Sequence, residues 1–174
     1  MTFERLTSPT HPLYDTAMAL YQISFPAHEQ RQAASQAAIL AHPAYHFTLI
    51  LESGAFVGEI LFWETADFRY VEHFCIVPAL RGHGCGSRAL SMLPDDRPVI
   101  LEIDPPTDEI AQRRQGFYER CGFTANPFAH VHPPYHADTA GHPLVLMSRP
   151  DALTAAQCRA FQAYLRDTVM RNAF

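Results

Sequence analysis

The sequence predicts an α+β fold in which a mixed, mostly antiparallel sheet is flanked by helices. Three observations predict it. Three β-rich runs follow one another closely between residues 46 and 77, as in an antiparallel meander. A near-continuous apolar run, Pro98-Val99-Ile100-Leu101-Glu102-Ile103, has the composition of a strand covered on both faces. Segments of helical period stand before, between and after these runs, in the order ααβββαβαββα.

The first helix is expected over residues 14 to 25, where Tyr14, Met18, Tyr21 and Phe25 recur at helical spacing and Pro26 closes the segment. An alanine-rich stretch over 29 to 41 predicts a second. His46 to Leu51 and Phe56 to Trp63 are strands joined by a hairpin turn at Glu52-Ser53-Gly54. Phe68 to Val77 makes the third strand. A glycine-rich loop follows, and 84 to 93 reads as a helix ended by Pro94. Residues 107 to 121 form another, stopped by Gly122 at its C-terminal cap. Phe123 to Phe128 and Pro143 to Met147 are strands around a His- and Pro-rich loop. Thr154-Ala155-Ala156-Gln157 has the pattern of a capping box and opens the last helix, with Cys158, Phe161, Leu165 and Val169 on a stripe expected to be core.

A chain of 174 residues with 48% hydrophobic content falls in the range of one globular domain. Its net charge of −5 argues against binding to a phosphate backbone, so no nucleic-acid partner is expected. The 13 basic residues are all arginine. Without lysine there is no Walker-type phosphate loop and no Schiff-base chemistry. No apolar run approaches the ~18 residues of a membrane span, and the N-terminus lacks a signal-peptide pattern. Cys75, Cys85, Cys121 and Cys158 are scattered, with no CxxC pair, so neither a metal knuckle nor a disulfide framework is expected. These features point to a cytoplasmic protein with free thiols.

The segment Arg81-Gly82-His83-Gly84-Cys85-Gly86 carries the chemistry. Three glycines in five residues let backbone N–H groups turn inward, and the helix that begins there adds the positive end of its dipole. Together they make a site for a phosphate or pyrophosphate. Gly84-Cys85-Gly86-Ser87-Arg88-Ala89 also fits the G-x-G-x-x-A dinucleotide fingerprint, with Glu102 18 residues beyond Gly84. Three antiparallel strands ahead of the loop, and too little chain after it for a doubly wound sheet, rank that reading lower.

From His73 through Gly86 the sequence resembles the pyrophosphate-binding segment of the GNAT superfamily of N-acyltransferases, whose [R/Q]-x-x-G-x-[G/A] loop follows a bulged central strand. Phe117-Tyr118-Glu119-Arg120-Cys121-Gly122-Phe123 is similar to that family's FYxxxGF segment. With its order of elements, the resemblance spans roughly residues 12 to 148. It implies a GNAT-type layered fold forming a single acyltransferase domain over 1–174. A CoA-binding core would lie at about 45–125, acceptor-side elements at 12–41 and 126–148, and a C-terminal helix at 154–171.

The same resemblance implies residue roles. Backbone amides of Gly82, His83, Gly84, Cys85, Gly86 and Ser87 would hold the CoA pyrophosphate, with Arg81 positioning the loop or a phosphate oxygen. The main chain at Cys75, Ile76 and Val77 would pair with the pantetheine arm, and an N–H there would polarise the thioester carbonyl. Tyr118 would protonate the departing thiolate. The base would come from Glu72 or His73, which strict strand alternation would send to opposite faces. His73 has the better unperturbed pKa, while the family's usual position favours Glu72. Glu29, His132 and Tyr135 would line the acceptor pocket; Arg31 reads as part of a solvated helix face. Glu102 and Asp104 would end a strand beside the CoA cleft.

The implied activity is N-acetyl transfer from acetyl-CoA, as co-substrate, to a primary amine of a small molecule or peptide. The acidic balance favours a cationic amine. A catalytically inactive acyl-CoA-binding sensor is the alternative, with a nicotinamide-dinucleotide-binding protein ranked below it. A homodimer is common in the family. The cluster His130, His132, His136, Asp138 and His142 has metal-ligating residue types, but its spacing is weak, and no metal is expected.

Overall fold

The computed structural model describes residues 1–173. Its strands are β1 (Thr2–Leu6), β2 (Tyr45–Glu52), β3 (Ala55–Glu64), β4 (Arg69–Ile76), β5 (Val99–Ile103), β6 (Thr124–Ala125), β7 (Val131–His132), β8 (His142–Pro143) and β9 (Val145–Arg149). The helices are α1 (Tyr14–Ser24), α2 (Ala33–Ile39), α3 (Cys85–Ser91), α4 (Glu109–Arg120) and α5 (Ala155–Tyr164). Seven strands form one sheet in the order β1-β2-β3-β4-β5-β9-β6, antiparallel throughout except between β4 and β5. β7 and β8 form a separate two-stranded ribbon.

The predicted α+β fold class is the one observed. The β2–β3 hairpin turns through Ser53 at φ 51° and Gly54 at φ 81°, the left-handed pair that a tight hairpin of this type requires. The side chain of Asp108 caps α4 by accepting from the N–H groups of Ile110 and Ala111, and Thr154 with Gln157 completes the capping box of α5. The predicted stripe of Cys158, Phe161, Leu165 and Val169 is buried.

One strand goes unpredicted and two predictions of extent differ. β1 is the edge strand that goes unpredicted: Phe3, Glu4, Arg5 and Leu6 do not alternate apolar with polar, so the segment carries no period-2 signal. The second helix is shorter than 29–41, because residues 27–29 form a separate 3-10 turn and α2 begins only at Ala33. The strand predicted over 123–128 pairs only at Thr124–Ala125, and part of the His-rich loop is drawn into the β7–β8 ribbon.

The sheet buries a core on each face. Leu6, Tyr21, Phe47, Leu61, Trp63, Tyr70 and Phe161 pack together on the side of α1, α2 and α5. Ile60, Val71, Leu90, Val99, Leu101 and Phe123 fill the side of α3 and α4. At roughly 25 cal/mol per Å² of apolar surface removed from water, these two cores are the main source of stability.

Two local features of β4 position everything that follows. It pairs in parallel with β5 over only three residues, Arg69↔Val99 to Val71↔Leu101, so beyond Val71 the strands part and leave an open edge on β4. Opposite β3 the register jumps, with Leu61 facing His73 and Phe62 facing Val71, which leaves Glu72 in a β-bulge.

Candidate functional site

The parting of β4 from β5 opens a cleft of about 940 Å³. It is lined by β4 from Val71 to Ile76, the end of β5, the glycine loop, α4 and the loop after β7. That volume suits a large cofactor with part of a second substrate.

The glycine loop closes one end. Gly82 and Gly84 have φ of 80° and 76°, and Gly84 serves as the N-terminal cap of α3. Both conformations strain any residue with a Cβ. At Gly86 an added Cβ would stand 3.2 Å from the Phe117 ring, so the loop packs tightly on α4. Arg81 turns back and donates from Nε to the carbonyl of Ile76 at 2.9 Å, which ties the loop to the end of β4. Arg81, Gly82, Gly84, Gly86 and Ser87 face the cleft. Cys85 is buried beneath it, and His83 is exposed with Nδ1 2.9 Å from the carbonyl of Arg81.

Tyr118 lines the cleft from α4, with its ring held edge-on by Phe117 and Phe123. Burial pushes its phenol up to about 12, so it keeps its proton at neutral pH.

The bulge corrects the expectation that Glu72 and His73 point to opposite faces. Both side chains pack on the α1/α2 side, because the inserted residue resets the alternation. Their surroundings differ sharply. The Glu72 carboxylate accepts from Arg31 Nη2 at 3.0 Å, Tyr135 Oη at 2.9 Å and Trp63 Nε1 at 2.7 Å. Burial pushes its pKa up, but the Arg31 charge, His73 and these donors outweigh burial and hold it below the usual carboxylate range. Arg31 is therefore no solvated residue: it is 3% exposed and reaches from the turn before α2 to Glu72 and to the carbonyl of Val169 at 2.8 Å.

His73 is packed between Tyr21, Phe25 and Tyr135. Its Nε2 lies 3.0 Å from the backbone carbonyl of Glu29, while Nδ1 is buried and without a hydrogen-bond partner among the described residues. Burial lowers its pKa despite the nearby Glu72 charge, which leaves the ring neutral at physiological pH.

On the facing wall, Glu102 is the hub of a second buried network, accepting from Tyr70 and His130. Its pKa is pushed up by burial, but His132, His130 and Tyr70 more than offset this and lower it. His132 lies over Tyr135, with Nδ1 2.6 Å from the carbonyl of Pro133 and Nε2 3.9 Å from Glu102. Glu102 is thus occupied, and the dinucleotide fingerprint loses the free carboxylate that would bind a ribose. Glu29, His132 and Tyr135 all line the cleft.

Sequence reasoning missed Arg31, the role of Glu102, and two further features. Glu59 on β3 is fully buried beneath the cleft, against Cys75, and burial pushes its carboxyl up to about 8. His28 and His142 stand beside Glu29 at the acceptor mouth. For Glu59 the one available signal was a glutamate inside an otherwise apolar strand.

A profile of the acetyltransferase (GNAT) domain matches residues 43–125. A solved structure from Bacteroides thetaiotaomicron, assigned to the GNAT family, shares 30% identity over 98% of both chains, with a TM-score of 0.91. An aminoglycoside 6'-N-acetyltransferase complexed with coenzyme A shares the fold at 15% identity, a TM-score of 0.62, and coverage of 87% of this chain and 100% of its own. The ribosomal-protein-S18-alanine N-acetyltransferase from Escherichia coli shares it at 16% identity and a TM-score of 0.55, over 88% and 96% of the two chains. No curated protein matches the chain in sequence. Among the described residues no helix is long and apolar enough to cross a membrane.

Proposed function

The chain belongs to the GNAT family of acetyltransferases, and from that premise we propose that it moves an acetyl group from acetyl-CoA directly to a primary amine. The observation that carries this reading is the parting of β4 from β5 after Val71. It leaves strand-edge backbone for a pantetheine arm to pair with at Cys75–Val77, between the glycine loop and Tyr118. A relative of the same fold is complexed with coenzyme A. The pyrophosphate would rest on the backbone amides of Gly82–Ser87, where the first turn of a helix has N–H groups without intrahelical partners.

In this reading the amine nitrogen attacks the thioester carbonyl carbon and a backbone N–H of β4 stabilises the oxyanion. The C–S bond then breaks, and the thiolate takes its proton from Tyr118. The proton leaving the amine goes to Nδ1 of His73, whose lone pair is left free by the bond that Nε2 makes. Glu72 acts as a positioning residue: a carboxylate already receiving three donors is a poor proton acceptor. Glu29, His132 and Tyr135 shape the acceptor side. Glu72 is paired with Arg31, Glu102 accepts from Tyr70 and His130, and Asp104 is paired with Arg114, so these three carboxylates are engaged and the preference for a cationic amine rests on the acidic balance of the whole chain.

The test is release of CoA thiol from acetyl-CoA in the presence of a panel of amines, beside melting curves with acetyl-CoA, CoA and NADH. Amine-dependent release with stabilisation by the CoA compounds supports the proposal. Stabilisation without release for any amine favours the sensor; stabilisation by NADH alone overturns CoA binding.

A further inference from the structure

At the acceptor mouth three metal-ligating side chains converge from two separate parts of the chain. His28 and Glu29 lie on the 3-10 turn after α1, and His142 opens β8. Their ligand atoms all fall within 4.8 Å of one another. Glu29 Oε1 is 3.5 Å from His28 Nε2 and 3.8 Å from His142 Nδ1. Around a tetrahedral zinc ion with bonds of about 2.0–2.1 Å, neighbouring donors stand about 3.3–3.5 Å apart, so small side-chain adjustments complete the set.

Two further observations point the same way. The other ring nitrogen of His142 lies 3.4 Å from Asp104 Oδ1. A carboxylate behind a histidine is the arrangement that fixes the tautomer and orientation of a metal-bound imidazole. The turn carrying His28 and Glu29 is also held in place from both sides. His73 donates to the carbonyl of Glu29 at 3.0 Å, and His136 Nε2 donates to those of Ala27 at 2.9 Å and Gln30 at 3.0 Å. A pinned backbone lowers the entropy lost when its side chains are ordered around a ligand.

We infer that His28, Glu29 and His142 form a binding site for a zinc-class divalent cation, with Asp104 as the carboxylate supporting His142. Two imidazoles and one carboxylate select a borderline transition ion over magnesium or calcium, which prefer all-oxygen sites. Three protein donors leave one coordination position for water or a ligand. The ion would join the 27–29 turn to the β7–β8 ribbon, two walls of the acceptor side that the chain otherwise links through His136.

The experiment is calorimetric titration of the full chain, without a histidine tag, with zinc chloride, supported by the absorption bands of cobalt(II) in the same site. One ion per chain is expected. Joint replacement by His28→Asn and His142→Asn should weaken binding by about 100-fold or more, and Asp104→Asn by about tenfold. His11→Ala, remote and paired with Glu4, should leave it unchanged. The double variant should keep the wild-type melting temperature in metal-free buffer, which establishes that it folds. Absence of binding, or undiminished affinity in the folded double variant, overturns the assignment. Because the readout is metal binding, failure of acetyl transfer would leave this result untouched.

Discussion

Nε2 of His73 donates to the backbone carbonyl oxygen of Glu29 at 3.0 Å, and that bond decides which nitrogen of the ring is basic. The proton sits on Nε2, so the lone pair belongs to Nδ1, which has no partner of its own among the described residues. A neutral imidazole in a fixed tautomer is what accepting the proton released by an attacking amine requires.

His73→Gln should lower kcat/KM by roughly 10²-fold or more. Burial depresses the wild-type imidazole below its ordinary value, so the neutral form persists on acidification. The acid limb of the wild-type profile should therefore fall below about pH 6.5, and the variant should lose it. A limb retained in the variant would assign the proton acceptor elsewhere.

Tyr118→Phe should lower kcat by roughly 10²-fold while the dissociation constant of acetyl-CoA moves little, since the ring still packs on Phe117 and Phe123. Steady-state rates with equilibrium binding of acetyl-CoA separate the two effects. Unchanged turnover would remove Tyr118 as the proton donor.

Glu72→Gln should cost stability, on the order of 3 kcal/mol by urea unfolding, because the guanidinium of Arg31 is left buried without its counter-charge. The Glu72 pKa is depressed in the folded state. Its contribution is therefore complete above the unfolded carboxyl value near ~4.3 and is lost as pH falls through the folded one. The gap between wild type and variant should be constant from about pH 6 to 8 and narrow below about pH 4.

Glu59 gives the opposite sign. Its folded pKa near 8 lies above the unfolded value, so its stabilising protonation is complete below ~4.3 and is lost progressively up to about pH 8. Wild type should lose stability across that interval, and Glu59→Gln, which keeps the shape without the charge, should flatten the curve. Melting temperatures at pH 6 and pH 9 for both chains check it; parallel curves would show that Glu59 does not titrate there.

The elements legible in the sequence are those whose signal is local. The hairpin at Ser53-Gly54, the glycine loop, the helix that stops before Gly122 and the capping box at Thr154 each rest on a few neighbouring residues, and each forms as read. Relationships between distant segments were not legible. The bulge at Glu72 belongs to the pairing of β4 with β3, so no inspection of residues 70 to 76 alone reveals it. Arg31 reads as polar helix surface because its counter-charge lies 41 residues away. Glu102 meets His130 across 28 residues, and His142 reaches Glu29 only because the ribbon folds back over the α1–α2 turn.

Arg31 also joins the centre of the sheet to the last turns of the chain, through Glu72 at 3.0 Å and the carbonyl of Val169 at 2.8 Å. The segment Leu165–Val169 is wound as a π-helix, whose wider turn redirects its final carbonyls. The end of the chain is in this way part of the tuning of its own central strand. Substitutions around residue 169, outside the lining of the cleft, should register as changes in the charge and placement of Glu72 and His73, and a chemist altering this segment would be adjusting the proposed reactive centre from behind.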